Sequence, residues 1–258
     1  MTVARGPSTN RRTIGRAAWL AALLAVAGCH HFNPRSYTSP ESLFQATMRL
    51  YRTGNFAKAE EGLTSLSFDL PPRDTLRERV RYYLAECKFG EGDFVTAAHD
   101  FRRIADDDPD DPLAPDALLR SGDAYAELWR RPGLDPTNGQ TALATWQELI
   151  SRYPEAPAGQ IAQARVREMN EKFATKDYDT GLYYMRRRAY DSAILYFRGM
   201  IAQYPNVSIV PDAFVRLVRA YKAIGYKEEM DDVCQTLKQY YGTRPDVREL
   251  CGNGNPGR

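Results

Sequence analysis

Between residues 40 and 242 apolar side chains recur at helical spacing, and the alternating runs that would read as strands are few. The informative positions lie in what read as the second helices of successive pairs. Phe56, Ala59, Leu63 and Leu66 are followed by Phe94, Ala97, Phe101 and Ile104, then by Gly139, Ala142, Trp146 and Leu149. Tyr190, Ala193, Phe197 and Met200 continue the series, and Lys227, Met230, Cys234 and Leu237 close it. Every set advances by three, four and three residues, which draws one stripe down a helix face. The sets begin 38, 45, 51 and 37 residues apart.

Punctuation recurs with the stripes. Pro71, Pro109, Pro154 and Pro205 each fall five residues after the last stripe member, where a proline ends a helix, and Gly242 takes that place in the fifth set. Gly54, Gly92 and Gly225 each fall two residues before the first member, where a tight turn between paired helices needs freedom in φ. A small residue at the second stripe position lets the partner helix approach closely. An irregular bundle of amphipathic helices would share the three-four spacing but not these repeated offsets. The expected fold is therefore all-α, a helical-hairpin solenoid of about five repeats. It resembles tetratricopeptide repeats, which run about 34 residues with small, aromatic and proline positions in this order. Residues 130–138, RRPGLDPTN, read as an insertion inside the third pair, and residues 158–175 as an additional helix or an extension before the fourth.

The N-terminus changes the picture of where this solenoid resides. Arg5, Arg11, Arg12 and Arg16, with no acid among them, precede an apolar run over residues 17–28 that is too short to remain as a membrane-spanning helix. The run closes on Val26-Ala27-Gly28-Cys29, which resembles the bacterial lipobox, whose cysteine thiol takes a diacylglycerol. Cys29 is then the lipid-attachment residue and the start of the mature chain, the alternative being a plain cleavable signal. Each buried methylene of an acyl chain contributes about 0.8 kcal/mol, and more than one chain holds a protein stably on a membrane. A zinc site built on Cys29, His30 and His31 lacks further ligands at a suitable spacing. His30 stands where an aspartate would retain a lipoprotein in the inner membrane, so the resemblance implies the outer membrane, facing the periplasm. The expected organisation is a signal peptide over 1–28, a linker over 29–39, the solenoid over 40–242 and a flexible tail over 243–258.

Removing residues 1–28 takes four arginines and no acid, so the formal charge passes from +2 to −2, with 31 basic against 33 acidic side chains. A near-neutral chain has no electrostatic footprint for nucleic acid. Cys87 reads as a small core residue; Cys234 and Cys251 either close a loop over the tail or stay two free thiols. The acidic run DDDPDD at 106–111 lacks the glycine and distal glutamate of an EF-hand loop and reads as a solvated turn before a helix N-terminus. Catalysis has little to stand on: the histidines are His30, His31 and His99, and no HExxH, GxSxG or P-loop is present. No cofactor, metal or catalytic residue is expected, and the class is a binding protein, not an enzyme.

The first helices carry the candidate binding residues. Over 41–53, Leu43, Ala46 and Leu50 form one stripe, and Phe44, Met48 and Tyr51, beside Arg52, form another. Over 76–90, Val80, Tyr83, Leu84 and Cys87 face one way while Arg79, Tyr82, Glu86 and Phe89 face another. A helix apolar on two sides is either sandwiched between neighbours or presents a groove. In the second case Phe44, Met48, Tyr51, Arg52, Arg79, Tyr82 and Phe89 line a site for an extended or helical apolar segment. In YYMRRRAY, Arg186, Arg187 and Arg188 end a helix beside Tyr183, Tyr184 and Tyr190, which is either a solvated helix end or an Arg-Tyr interface.

Lipobox, linker and five such pairs together resemble the BamD family of tetratricopeptide lipoproteins in the outer-membrane β-barrel assembly machine. The more discriminating segments are TALATWQELISRYPEAP and EKFATKDYDTGLYYMRRRAYDSAILYFRGMIAQYP, with a long helix, a Tyr-Tyr pair, a short basic turn and a Tyr-Pro ending in that order. The resemblance implies a scaffold that docks on the periplasmic domains of a barrel-forming BamA-type subunit and receives the apolar, aromatic-ended C-terminal segments of unfolded outer-membrane proteins, with other assembly lipoproteins as further partners. It places docking over residues 183–197, with Tyr183, Tyr184, Arg186, Arg187, Arg188 and Tyr196 as contacts, and suits the aromatic groove of the first helices. The rival is another periplasmic repeat lipoprotein coordinating cell envelope or division.

Overall fold

The computed structural model describes residues 32–252, over which eleven α-helices follow one another with no strand among the described residues. The expected lipid-attachment residue, Cys29, lies outside them. The chain divides into two compact units, Met1–Leu70 and Pro71–Arg258.

The first unit is one hairpin. Helix α1 (Pro40–Arg52) packs on α2 (Phe56–Asp69), and a 3-10 turn, Pro34–Ser36, rests on α2. A reciprocal cap starts α1: the Ser39 hydroxyl accepts from the Ser42 N–H at 3.2 Å and the Ser42 hydroxyl accepts from the Ser39 N–H at 3.3 Å, with Pro40 in the first turn. Ala59, Leu63 and Leu66 of the stripe are buried. Their helix approaches α1 closely at Gly62, where a Cβ would run into the Thr47 hydroxyl and the ring of Phe32.

The second unit stacks four hairpins and a terminal helix. They are α3 (Leu76–Glu91) with α4 (Phe94–Asp107), α5 (Ala114–Leu128) with α6 (Thr137–Arg152), α7 (Pro157–Arg186) with α8 (Tyr190–Gln203), and α9 (Val210–Ile224) with α10 (Lys227–Tyr241). Helix α11 (Pro245–Cys251) follows, and each helix packs on the next from α3 to α11. Stripe positions two to four are buried on α4, α6 and α8, while on α10 Met230 is only half-buried. The prolines stand where expected. One residue past α2, α4, α6 and α8 the backbone N–H of Leu70, Asp108, Tyr153 or Tyr204 donates to the carbonyl of the last stripe residue, after which proline prevents another turn.

The long intervals resolve locally. Residues 158–175 belong to one continuous helix of 30 residues, α7, so the extra length is an extension and not a separate helix. The insertion after α5 is seated on Trp129, which is 1 % exposed and stacks on Phe173 of α7 at 4.6 Å. The indole N–H of Trp129 donates to the Leu134 carbonyl at 3.4 Å, and Lys176 Nζ donates to the same carbonyl at 3.2 Å. Gly139 makes room on α6, since a Cβ there would strike the Trp129 ring.

The expected flexible tail is corrected as far as Cys251. Cys234 on α10 and Cys251 on α11 form a disulfide with Cα atoms 5.4 Å apart, and Val247 is buried beside them. Arg244 ties the same segment down, donating to Asp212 Oδ1 of α9 at 2.5 Å and to Asp246 Oδ2 at 2.7 Å, and its hydrogen bonds hold the Asp246 carboxyl below the usual carboxylate range. Closing a loop of this length is worth about 3 kcal/mol in the chain-entropy treatment. Because Arg244 and Val247 still hold this segment, Cys251→Ser should cost only about 2 kcal/mol. Hydrogen exchange checks this: faster exchange over α10 and α11 is expected, with little change in α3–α6, and unchanged C-terminal protection would refute a stabilising role for the bridge.

Candidate protein-interaction surfaces

Two surfaces collect the expected site residues in the second unit. The first runs along the first helices α3, α5 and α7. Helical spacing puts Tyr82, Glu86 and Phe89 on one face of α3, Arg120 and Asp123 on one face of α5, and Arg165, Glu168 and Lys172 on one face of α7. Stacking the hairpins joins them. Glu86, only 7 % exposed, accepts from Arg120 through both carboxylate oxygens, at 2.5 Å from Nε and 2.9 Å from Nη2. Arg120 continues to Asp123 at 3.3 Å, Asp123 to Arg165 at 3.2 Å, Arg165 to Glu168 at 3.7 Å and Glu168 to Lys172 at 3.3 Å. Burial pushes the Asp123 carboxyl up from its ordinary range even though Arg165 and Arg120 both pull it down.

This ladder frames aromatic surface. The Arg120 guanidinium lies 4.0 Å over the Phe89 ring, and Tyr82 packs edge-on against Phe101 at 5.3 Å. Burial, with the Glu86 charge adding to it, pushes the Tyr82 hydroxyl far up, so it stays protonated. A cavity of about 410 Å³ opens here, walled by Phe89, Arg120, Asp123, Arg130, Arg165 and Met169. A second, of about 510 Å³, is walled by Arg79, Tyr82, Tyr83, Leu113 and Asp116.

The expected groove residues thus separate. Arg79 and Tyr82 share one cavity and Phe89 lines another. Phe44 and Met48 are 0 % and 5 % exposed, so the two do not offer the groove wall expected of them. Leu43, Ala46 and Thr47 on neighbouring faces of the same helix are buried as well. Tyr51 is half-buried against Phe56 at 5.7 Å, and Arg52 is exposed. Arg120, Asp123 and Arg165 were not among the expected site residues.

The second surface is the end of α7 and the face of α8. Tyr184 stacks on Tyr196 at 5.4 Å and meets Tyr183 edge-on at the same separation. Tyr183 is 42 % exposed and carries the Arg187 guanidinium 4.6 Å above its ring. Arg186, Arg187 and Arg188 are all exposed. Arg188 adopts φ 59°, and the corresponding turns of other hairpins hold Gly54, Gly92 and Gly225 at φ 75°, 85° and 80°. Elsewhere the acidic run is occupied locally: Asp106 pairs with Arg152 at 3.4 Å, Asp107 with Arg81 at 2.5 Å, and Asp111 accepts from the Leu113 N–H at 2.7 Å ahead of α5. His99 is exposed on α4.

Residues 37–237 match the family described as "YfiO: Outer membrane lipoprotein". The chain belongs to the YfiO family. The matched span contains α1 to α9 and most of α10, hence both surfaces, while Cys29 precedes it and α11 follows it. Among relatives, the outer membrane protein assembly factor BamD of Xylella fastidiosa is 25 % identical over 237 residues, covering 86 % of this chain and 80 % of that protein. BamD of Caulobacter vibrioides is 29 % identical over 121 residues, 47 % of this chain; the match spans only 40 % of that relative's own length. Among solved structures, the TPR2AB domain of yeast Sti1 is similar with a TM-score of 0.43 and 12 % identity, covering 82 % of this chain and 81 % of that one. The hairpin fold of this YfiO-family chain rests on its own helices. No helix among the described residues is long and apolar enough to cross a membrane.

Proposed function

We propose that this YfiO-family chain is a non-enzymatic adaptor in the assembly of β-barrel outer-membrane proteins, held on the periplasmic face of the outer membrane by lipid on Cys29. The observation that carries the reading is the family match across all five hairpins, together with relatives named as assembly factors. In this reading the α7–α8 surface docks the periplasmic domains of a barrel-forming BamA-type subunit. Its stacked tyrosines are held rigid, so little side-chain entropy is lost on binding, and tyrosine and arginine are the residues that anchor interfaces. The α3–α5–α7 face receives aromatic-ended segments of unfolded outer-membrane proteins. Tyr82 and Phe89 supply apolar rings, and the cations of the adjoining ladder give a segment's terminal carboxylate a partner. Other assembly lipoproteins occupy remaining surface.

The test is recovery of the barrel-forming subunit from native outer membranes through a C-terminal tag, comparing the unaltered chain with Cys29→Ala and with Tyr183→Ala/Tyr184→Ala. At least tenfold lower recovery is expected for both variants. A partner list of murein enzymes or division proteins in place of the barrel subunit would move the function to the envelope-coordinating rival. In parallel, Tyr82→Ala/Phe89→Ala should weaken an aromatic-ended substrate peptide about tenfold with helicity unchanged, the scale of losing a ring contact of about 1–1.5 kcal/mol. Equal peptide affinity would sink the substrate face.

A further inference from the structure

We infer that Arg188 is a specificity-determining contact, held in a left-handed turn that favours glycine because its guanidinium recognises carboxylates on an acidic protein surface docked over Tyr183, Tyr184 and Tyr196. This rests on the docking role proposed above for the α7–α8 surface and says which side chain selects the partner, and by what chemistry.

The turn itself is one motif used four times. Past Gly54, Gly92, Arg188 and Gly225, the next residue's N–H donates to the carbonyl five residues back: Asn55 to Leu50 at 3.0 Å, Asp93 to Lys88 at 2.9 Å, Ala189 to Tyr184 at 3.1 Å and Tyr226 to Tyr221 at 3.0 Å. The same hydrogen bonds impose the same positive φ, which glycine adopts freely and which places a Cβ against the neighbouring carbonyl. Asparagine, aspartate and histidine are enriched in this region of backbone space; arginine is not among them.

Nothing inside the fold compensates. Arg188 is exposed and forms no side-chain hydrogen bond or ion pair among the described residues. Arg186 is the same, and Arg187 has only the Tyr183 ring. Single exposed arginines such as Arg131, Arg167 and Arg219 also lack a carboxylate among the described residues, while Arg81, Arg102, Arg120, Arg152, Arg165 and Arg244 have one; what sets this turn apart is that three such groups adjoin. Three adjoining guanidinium groups without a carboxylate, next to a fixed aromatic platform, fit a partner that supplies the carboxylates. The planar fork of arginine takes them through two parallel hydrogen bonds. A strained residue at an exposed site is a pointer to binding, because backbone strain of this kind clusters at ligand clamps and switch regions.

The experiment compares the full lipidated chain in detergent with Arg188→Gly, Arg188→Lys and Tyr183→Ala/Tyr184→Ala. It measures melting temperature and affinity for the purified periplasmic domains of the barrel-forming subunit from the same organism. Arg188→Gly should melt about 2–4 °C higher, as relief of roughly one left-handed non-glycine residue predicts for a chain of this size, and bind at least tenfold more weakly. Arg188→Lys, which keeps charge but not the fork, should fall between. A lower melting temperature for Arg188→Gly overturns the strain. Unchanged affinity of Arg188→Gly, with affinity lost in the tyrosine variant, overturns the role of Arg188 and leaves the docking surface standing. Affinity retained by every variant overturns the docking surface too. In the Cys29→Ala form, which lacks the anchor, loss of sedimentation with phosphatidylglycerol vesicles on Arg188→Gly with protein affinity unchanged would assign Arg188 to lipid and overturn the inference.

Discussion

Replacing Trp129 by alanine should destabilise the Pro71–Arg258 unit by about 4 kcal/mol, the middle of the range for truncating a buried tryptophan. At this size that lowers the melting temperature by about 8–16 °C. The side chain is fully enclosed, stacks on Phe173 of the long helix and anchors the insertion through the Leu134 carbonyl. Its removal opens a cavity that Gly139, which has no side chain, cannot fill. Trp129→Phe keeps an aromatic stack and loses the N–H donor, so a smaller cost of about 1–2 kcal/mol is expected, from one hydrogen bond and a partial void. Urea unfolding of the three proteins checks the order. A loss below about 1 kcal/mol for the alanine variant would mean that the insertion, not Trp129, organises the α5–α7 packing.

Arg120→Ala is expected to cost about 3 kcal/mol, the lower end for breaking a buried ion pair because Arg120 remains partly open to water. The variant deprives the buried Glu86 carboxylate of the guanidinium that offsets its desolvation, and takes from Phe89 the cation above its ring. It also removes one of the two arginines that oppose protonation of Asp123. The asymmetry of buried charge gives a sharper check. The double variant Glu86→Leu/Arg120→Met removes both charges together and should recover most of the loss, since a hydrophobic pair of similar volume avoids both desolvation costs. Additive losses in the double variant would show that Glu86 and Arg120 do not act as a pair. The Arg120→Ala penalty should also persist in high salt, where exposed pairs such as Arg103–Asp107 are screened.

Much of the hairpin architecture was legible because its markers are local. Stripe spacing, proline stops and glycine turns each depend on residues within one or two turns of the same helix, and Ala97, Phe101 and Ile104 occupy the buried face that their spacing implies. The same register contains one exception. Two residues before Tyr190, where three other hairpins have glycine, stands Arg188, and only its φ in the folded chain shows that the turn did not change to suit it. Phe44 and Met48 differ from the groove expected of them in burial. An apolar stripe has the same periodicity whether it meets protein or a ligand, so α1 gave no means of separating the two.

The sequence by itself determined that the chain is a series of helical hairpins, where they turn, and which family it resembles, since helix period and punctuation are written in adjacent residues. Only the tertiary structure decided that Glu86 meets Arg120 across 34 residues and that Arg165 meets Asp123 across 42. It also decided that Cys234 and Cys251 join, and that Tyr82 and Phe89 open onto cavities while Phe44 is enclosed. The physical reason is that the rise and rotation from one hairpin to the next set which side chains of successive first helices come within a hydrogen bond of each other. That quantity is the sum of packing over a whole hairpin, here altered by the Trp129-seated insertion and the 30-residue α7, and no short pattern of residues encodes it.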